Sequence, residues 1–132
     1  MLLVDTNVLV DVLQNDPQWA DWSIAQLRAQ SKLHALAINP VIYAEMSLSF
    51  STLEALDDVV LTMALELREI PRPALFLAAR AYALYRRRGG SKGQMLPDFF
   101  IGAHAAVEGW PLLTRDASRF KTYFQTLDVI AP

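Results

Sequence analysis

Short apolar runs that alternate with longer helix-like segments restrict the fold of this chain more than any other feature. The runs predicted as strands are residues 1–4, 33–38, 67–70, 112–113 and 127–130. Strands that alternate with helices form a parallel sheet whose two faces are covered by those helices. The sequence therefore predicts an α/β fold.

Helix-start signals place most of the helices. An N-cap residue followed by proline occurs at residues 16–17 and at 39–40, and residues 51–54 resemble a capping box. Thr6 or Asn7 is expected to cap the first helix. Helices are predicted over residues 8–13, 18–30, 40–50, from the capping box to about 65, 74–88 and 97–108, with a glycine-rich loop over 89–94.

Length and composition indicate one folded domain over residues 1–132. Of the residues, 53% are hydrophobic and 20% are charged, and 12 Lys and Arg against 14 Asp and Glu give a net charge of −2. This balance excludes a generally basic nucleic-acid coat. The chain has no cysteine, so disulfides and thiolate metal sites are excluded. Asp5 interrupts the first apolar run before a signal-peptide core forms, and we expect a cytoplasmic domain that does not enter a membrane.

Four acids occupy positions that suit a site. Asp5 and Asp116 come just after predicted buried strands, Asp98 lies at a helix start, and Glu45 is the single charge between residues 40 and 50. In an open parallel sheet the carboxyl ends of the strands form the ligand crevice. Four converging carboxylates would suit Mg²⁺ or Mn²⁺ rather than Zn²⁺. Alternatively, Asp98 and Asp116 only cap a helix or turn, and Glu45 faces solvent.

The surrounding motifs are those of a known family. "LLVDTNVLVDVL", Glu45 in "NPVIYAEM", Asp98 in "LPDFFIGAHA" and "LLTRDASRF" resemble, in order and spacing, the PIN-domain nucleases, and in particular the VapC-type toxins of prokaryotic toxin–antitoxin pairs. The resemblance spans nearly the whole chain. It implies a single PIN-like domain with a parallel sheet of strand order 3-2-1-4-5, a homodimer, and a small antitoxin as partner. The implied site consists of the metal-binding acids Asp5, Glu45, Asp98 and Asp116 with Thr6, Asn7 and Thr114 as polar supports.

The resemblance also implies an activity. The protein would be a cytoplasmic, metal-dependent endoribonuclease that hydrolyses RNA phosphodiester bonds with metal-activated water. The family pattern would accept a further carboxylate or amide where Ser118 stands, so one metal ion or two remains open. The alternative is a non-catalytic PIN-like module that binds RNA or a protein partner. A receiver domain would need a nucleophilic aspartate where residues 71–73 are Pro-Arg-Pro, and an Asp-x-Asp phosphatase would need an acid in place of Asn7.

Basic residues offer candidate contacts for the RNA backbone. The densest positive stretch borders the glycine-rich loop and comprises Arg86, Arg87, Arg88 and Lys92. Arginine suits bidentate phosphate contacts, but the same cluster also suits a solvated helix C-terminus. Arg115, beside Asp116, can reach a substrate phosphate or pair with a surface acid.

Overall fold

A five-stranded, all-parallel sheet forms the centre of the protein. The structure is a computed structural model that describes residues 1–91 and 96–132. Its strands are β1 (Leu2–Val4), β2 (Leu36–Ile38), β3 (Leu65–Leu67), β4 (Leu112–Leu113) and β5 (Val129–Ile130). They lie in the order β3-β2-β1-β4-β5, which confirms the expected α/β fold and strand order.

The central strand β1 is inaccessible to solvent. Leu2, Leu3 and Val4 are all fully buried. Successive side chains of a strand point to opposite faces, so both faces of the sheet must be covered at this strand. Leu3 pairs with Ala37 of β2 on one side and with Leu112 of β4 on the other. The apolar run that opens the sequence is therefore the core of the fold.

Helices surround this sheet, and side chains cap several of them. In the described part of the chain the helices are α1 (Thr6–Leu13), α2 (Ala20–Ser31), α3 (Pro40–Met46), α4 (Leu53–Thr62), α5 (Arg72–Arg87), α6 (Leu96–Glu108) and α7 (Ser118–Tyr123), with a 3₁₀ turn over Ser47–Ser49. Asn39 caps α3 by accepting a hydrogen bond from the Ile42 amide at 2.9 Å, as predicted. Asp16 accepts from the amides of residues 18 and 19, so the predicted cap is present, although α2 begins later than expected.

Two predicted caps are wrong. Thr6 and Asn7 lie inside α1, which is capped by Asp5: its carboxylate accepts a hydrogen bond from the Thr6 amide. The predicted capping box does not form from Ser51, because Thr52 is the N-cap and accepts from the Ala55 amide. The actual cap of α1 thus lies one or two residues before the predicted ones, and that of α4 lies one residue after.

Two elements differ from the predicted pattern. Strand β3 is Leu65–Leu67 rather than 67–70, because α4 ends at Thr62 and Ala64 turns the chain in a left-handed conformation (φ 54°). A glycine would have marked this turn, and alanine does not. The helix α7 was not predicted, since it has only six residues and its N-cap, Ala117, makes no side-chain capping bond.

An aromatic cluster fixes α5, α6 and α7 against one another. The Phe99 ring of α6 lies 5.3 Å from that of Tyr85 on α5 and 5.4 Å from that of Tyr123 on α7. Gly102 lets α6 approach the chain after α7 closely, because a Cβ there would lie 2.5 Å from the Phe124 ring. Helices α6 and α7 are thus held together near residues 98 and 119. None of the helices described is both long and apolar enough to cross a membrane.

Candidate active site

The acids that follow β1 and β4 meet where the strand order reverses. β1 pairs with β2 on one side and with β4 on the other, so the chain first adds β2 and β3 on one side of β1 and then crosses over to add β4 and β5 on the other side. Ligands of open α/β sheets bind at this switch point, outside the carboxyl ends of the strands. Asp5 directly follows β1, and the Asp5 amide donates to the Leu113 carbonyl of β4 at 2.9 Å. Asp116 lies three residues beyond β4.

A cavity of about 310 Å³ brings the four acids together. Its lining comprises Asp5, Thr6, Asn7, Val10, Glu45, Asp98, Arg115, Asp116, Arg119 and Phe120. Helix α3 contributes Glu45 and helix α6 contributes Asp98. The side-chain amide nitrogen of Asn39 donates to Nδ1 of the buried His104 of α6 at 3.2 Å, and this contact ties α6 to the start of α3. Residues far apart in sequence therefore share one cavity.

Asp5 is the most deeply buried of the four. Its side chain accepts hydrogen bonds from the Thr6 amide at 2.7 Å and from the Thr114 hydroxyl at 2.8 Å. Burial is the main cause that raises the pKa of Asp5 from 3.8 to about 7, and the negative charges of Asp98 and Glu45 add to it. Both carboxylate oxygens are thus oriented, although the protein disfavours the ionised form.

The predicted polar supports contact the acids or each other. The Thr6 hydroxyl donates to Glu45 Oε1 at 2.6 Å, which connects the start of α1 to α3. Thr114 holds Asp5, and its hydroxyl also accepts from the Asp116 amide at 3.1 Å. Asn7 accepts from the Arg115 amide at 3.2 Å, so it supports the segment after β4 rather than a carboxylate.

Asp98 and Asp116 have different surroundings. Asp98 is partly buried and forms an ion pair with Arg119 of α7. Burial raises the pKa of Asp98, and the charges of Glu45 and Asp116 act in the same direction, while Arg119 opposes them. Asp116 is exposed, and its Oδ1 accepts from the Ser118 hydroxyl at 3.2 Å. Ser118, which stands where the family pattern would accept a further acid, thus contacts Asp116.

Arg115 lines the cavity but is held by a buried acid. Its guanidinium donates to both carboxylate oxygens of Asp11, at 2.9 and 3.1 Å, and lies 5.6 Å from the centre of the Trp19 ring. The Asp11 side chain is 3% exposed and also accepts from the Ser23 hydroxyl. This pair joins the segment after β4 to α1 and α2, and Asp11 is not the surface acid that the sequence suggested as a partner.

The other predicted basic contacts lie apart from the cavity lining. Arg86, Arg87 and Arg88 are exposed at the end of α5, and none of them lines the cavity. Arg86 donates to the Gly90 carbonyl, and the guanidinium of Arg88 lies 5.9 Å from the Tyr123 ring centre. Lys92 and the rest of the predicted loop from residue 92 to 94 lie outside the described residues.

Sequence reasoning missed two charged residues, Arg119 and Asp11. Arg119 lies three residues after Asp116, a spacing that brings two side chains to one side of a helical turn. Without a prediction of α7, this spacing carried no information. Asp11 is the single polar residue in the run from Val8 to Leu13 of α1, and this pattern could have marked it as buried and paired.

The donor set of the cavity fits a hard divalent cation. It consists of carboxylate oxygens with hydroxyl and amide groups beside them, and neither a sulfur nor a histidine nitrogen is among the lining residues named. Across residues 1–91 and 96–132, no three acidic or histidine side chains stand in the close group that one bound ion requires.

Comparison with known families agrees with this geometry. The family model for the PIN domain matches residues 2–124 of the chain. The chain belongs to the PIN domain family. A comparison with the curated proteins gave no match.

Solved structures share the PIN fold over nearly the full length. VapBC2 from Rickettsia felis, bound to a DNA fragment from the promoter, is 20% identical with a TM-score of 0.75, covering 99% of this chain and 98% of the other. DNA-bound VapBC from Salmonella typhimurium is 21% identical with a TM-score of 0.71, covering 99% and 98%. A toxin–antitoxin complex from Klebsiella pneumoniae is 20% identical with a TM-score of 0.59, covering 91% and 90%. At these identities the likeness shows the fold.

Proposed function

We propose that this PIN domain is a metal-dependent endoribonuclease and the toxin of a toxin–antitoxin pair. One observation carries the proposal: Asp5, Glu45, Asp98 and Asp116, from four separate segments of the chain, line a single cavity at the switch point of the sheet. Four carboxylates alone would repel an RNA phosphate, so the reaction needs a cation between them and the substrate. Mg²⁺ or Mn²⁺ suits this oxygen donor set.

The roles of the protein groups follow from their contacts. A bound divalent cation would supply a water of lowered pKa and stabilise charge on the attacking and leaving oxygens. Thr6 and Thr114 hold Asp5 and Glu45 through hydrogen bonds of 2.6 to 2.8 Å, so these carboxylates would need little reorientation to bind it. Asp5 must lose the proton that burial favours, and the positive charge of the ion would drive that loss.

The proposed biological role is based on the PIN fold and on the assemblies in which similar folds have been solved. The matched solved structures are VapBC assemblies and a toxin–antitoxin complex. We expect a small antitoxin as partner, a homodimeric toxin, and a place of action in the prokaryotic cytoplasm. Purification after co-expression with the protein encoded next to it would test the partner: a stable complex supports the role, and separate elution of the two proteins contradicts it.

Cleavage of generic single-stranded RNA tests the activity. The wild type should cleave with Mg²⁺ or Mn²⁺ and not with chelator. Asp5→Asn should lower the rate of cleavage by at least about 100-fold while remaining folded. Asp58→Asn, which neutralises an exposed acid on α4, is the matched control and should leave cleavage unchanged. Equal cleavage by a folded Asp5→Asn protein would show that the cavity is not the active site.

Thermal melts separate this proposal from a non-catalytic PIN-like module that binds RNA or a protein partner. Mn²⁺ should stabilise the wild type, by about 2.7 kcal/mol at 100 times its dissociation constant, and Asp98→Asn should lose most of that gain. Equal gains in both proteins would place the cation elsewhere. RNA binding without cleavage under any metal condition would favour the non-catalytic module.

A further inference from the structure

Two arginines line the acidic cavity, and the structure gives them different roles. Arg115 makes a bidentate ion pair with Asp11, and Asp11 is not a cavity acid. Breaking that pair would leave a carboxylate that is 3% exposed without its cation, so Arg115 is needed for the stability of the fold. Among the described residues, Arg119 pairs with no buried acid outside the cavity. Its ion-pair partner is Asp98, which is itself one of the four candidate ligands.

Arg119 is placed where its side chain can serve more than one partner. It is the second residue of α7, three residues after Asp116, and its side chain is 21% exposed while that of Asp98 is 28% exposed. The backbone of α7 is fixed through Phe120, which is 2% exposed, and through the contact of Tyr123 with Phe99. The helix therefore stays in place while the long arginine side chain retains access to the cavity and to solvent.

A divalent cation and Arg119 compete for the same negative charge. A guanidinium held against Asp98 offsets part of the repulsion among the acids, and a second cation on the same carboxylate would be repelled by it. Once it has left Asp98, Arg119 would stand at the cavity edge with its planar donor fork unpaired. That fork matches the geometry of a phosphate.

We infer that Arg119 acts as an internal counter-ion that leaves Asp98 when a divalent cation binds, and that its guanidinium then holds an RNA phosphate beside the acids. The second half rests on the proposed nuclease function, whereas the first half does not. The consequence is positive coupling: metal binding frees the group that binds RNA, and RNA phosphate in turn keeps that group away from Asp98.

Calorimetric titration of Mn²⁺ into metal-free protein, without RNA, tests the first half. Arg119→Gln should bind Mn²⁺ about threefold to tenfold more tightly than the wild type, because the competing ion pair is gone. Lys121→Gln is the matched control, since it removes an exposed positive charge from the same helix, and its affinity should stay within about twofold of the wild type. Unchanged affinity in Arg119→Gln, or equal gains in both variants, would overturn the inference.

RNA kinetics at saturating Mn²⁺ test the second half. Arg119→Gln should raise the KM for a short single-stranded RNA about tenfold, Arg119→Lys should recover part of that loss, and Lys121→Gln should match the wild type. Tighter Mn²⁺ binding with an unchanged KM would overturn the phosphate role. If the wild type cleaves no RNA, the proposed function fails, but the Mn²⁺ titration still decides whether Arg119 competes with the cation. Melting curves of each variant confirm that it is folded.

Discussion

Replacing Asp5 by asparagine should stabilise the metal-free protein at neutral and alkaline pH. The carboxyl is 4% exposed, and burial raises its pKa from 3.8 to about 7, helped by the charges of Asp98 and Glu45. Between pH 3.8 and about pH 7, the Asp5 carboxyl of the folded protein keeps a proton that the unfolded chain has released. The free energy of unfolding therefore falls as pH rises: the contribution is full below about pH 4 and is lost by about pH 7.

The size of the effect follows from the width of that pH interval. About three pH units at about 1.4 kcal/mol each give roughly 4 kcal/mol, of which about 3 kcal/mol falls between pH 5 and 8. Asparagine can keep both contacts of Asp5, since its oxygen accepts from the Thr6 amide and its amide can donate to the Thr114 hydroxyl. At pH 8 the whole of the roughly 4 kcal/mol has been lost from the wild type, so allowing about 1 kcal/mol for the weaker bonds we expect a net gain of about 3 kcal/mol for Asp5→Asn.

Thermal and urea unfolding with chelator, at several pH values from about 5 to 8, measures this gain. The stability of the wild type should fall across the range by about 3 kcal/mol more than that of Asp5→Asn, and the melting temperatures at pH 8 should differ by roughly 11 °C. The exposed Asp58→Asn variant controls for loss of net charge and should follow the wild type. Parallel pH profiles of wild type and Asp5→Asn would refute the argument that a buried, charge-crowded Asp5 is ionised at the expense of stability.

Three further predictions concern packing and assembly. Arg115→Ala should lower the free energy of unfolding by about 2–3 kcal/mol in urea titrations, because it leaves the buried Asp11 without its cation, and adding Asp11→Asn should restore part of the loss. Gly102→Ala should lower it by about 1–3 kcal/mol, since the new Cβ would lie 2.5 Å from the Phe124 ring; an unchanged melting temperature would contradict this packing. Sedimentation equilibrium of the purified protein alone should give a homodimer, and a monomer at all concentrations would contradict that expectation.

The buried strands and the strand-end acids could be predicted because each depends on local pattern. Leu2, Leu3 and Val4 form an apolar run on both sides of a strand, which only a sheet covered on both faces accommodates. Asp5 follows that run directly, so its place at the carboxyl end of a buried strand was implied. The strand order, in contrast, came only from the family resemblance, because no local pattern states which strand lies beside which.

What could not be predicted depends on contacts between distant elements. Arg119 lies in the sequence motif quoted for Asp116, yet its partner Asp98 is 21 residues away and on another helix. Arg115 was assigned two possible partners from the sequence, and the structure places it on Asp11, 104 residues away. Charged side chains are flexible, and their pairing follows from tertiary geometry rather than from spacing.

Stability alone does not account for the four acids in the cavity. Burial and mutual repulsion raise the pKa of Asp5 and of Asp98, so the ionised cluster weakens the metal-free fold at neutral pH. The protein offsets this only in part, because Arg119 binds Asp98 while the charge of Arg115 is taken up by Asp11. The hydrogen bonds from Thr6 and Thr114 meanwhile hold two of the acids in fixed orientations. Acids that are destabilising yet oriented suit the proposed cation site, since an ion bound there would remove the repulsion and use the orientation.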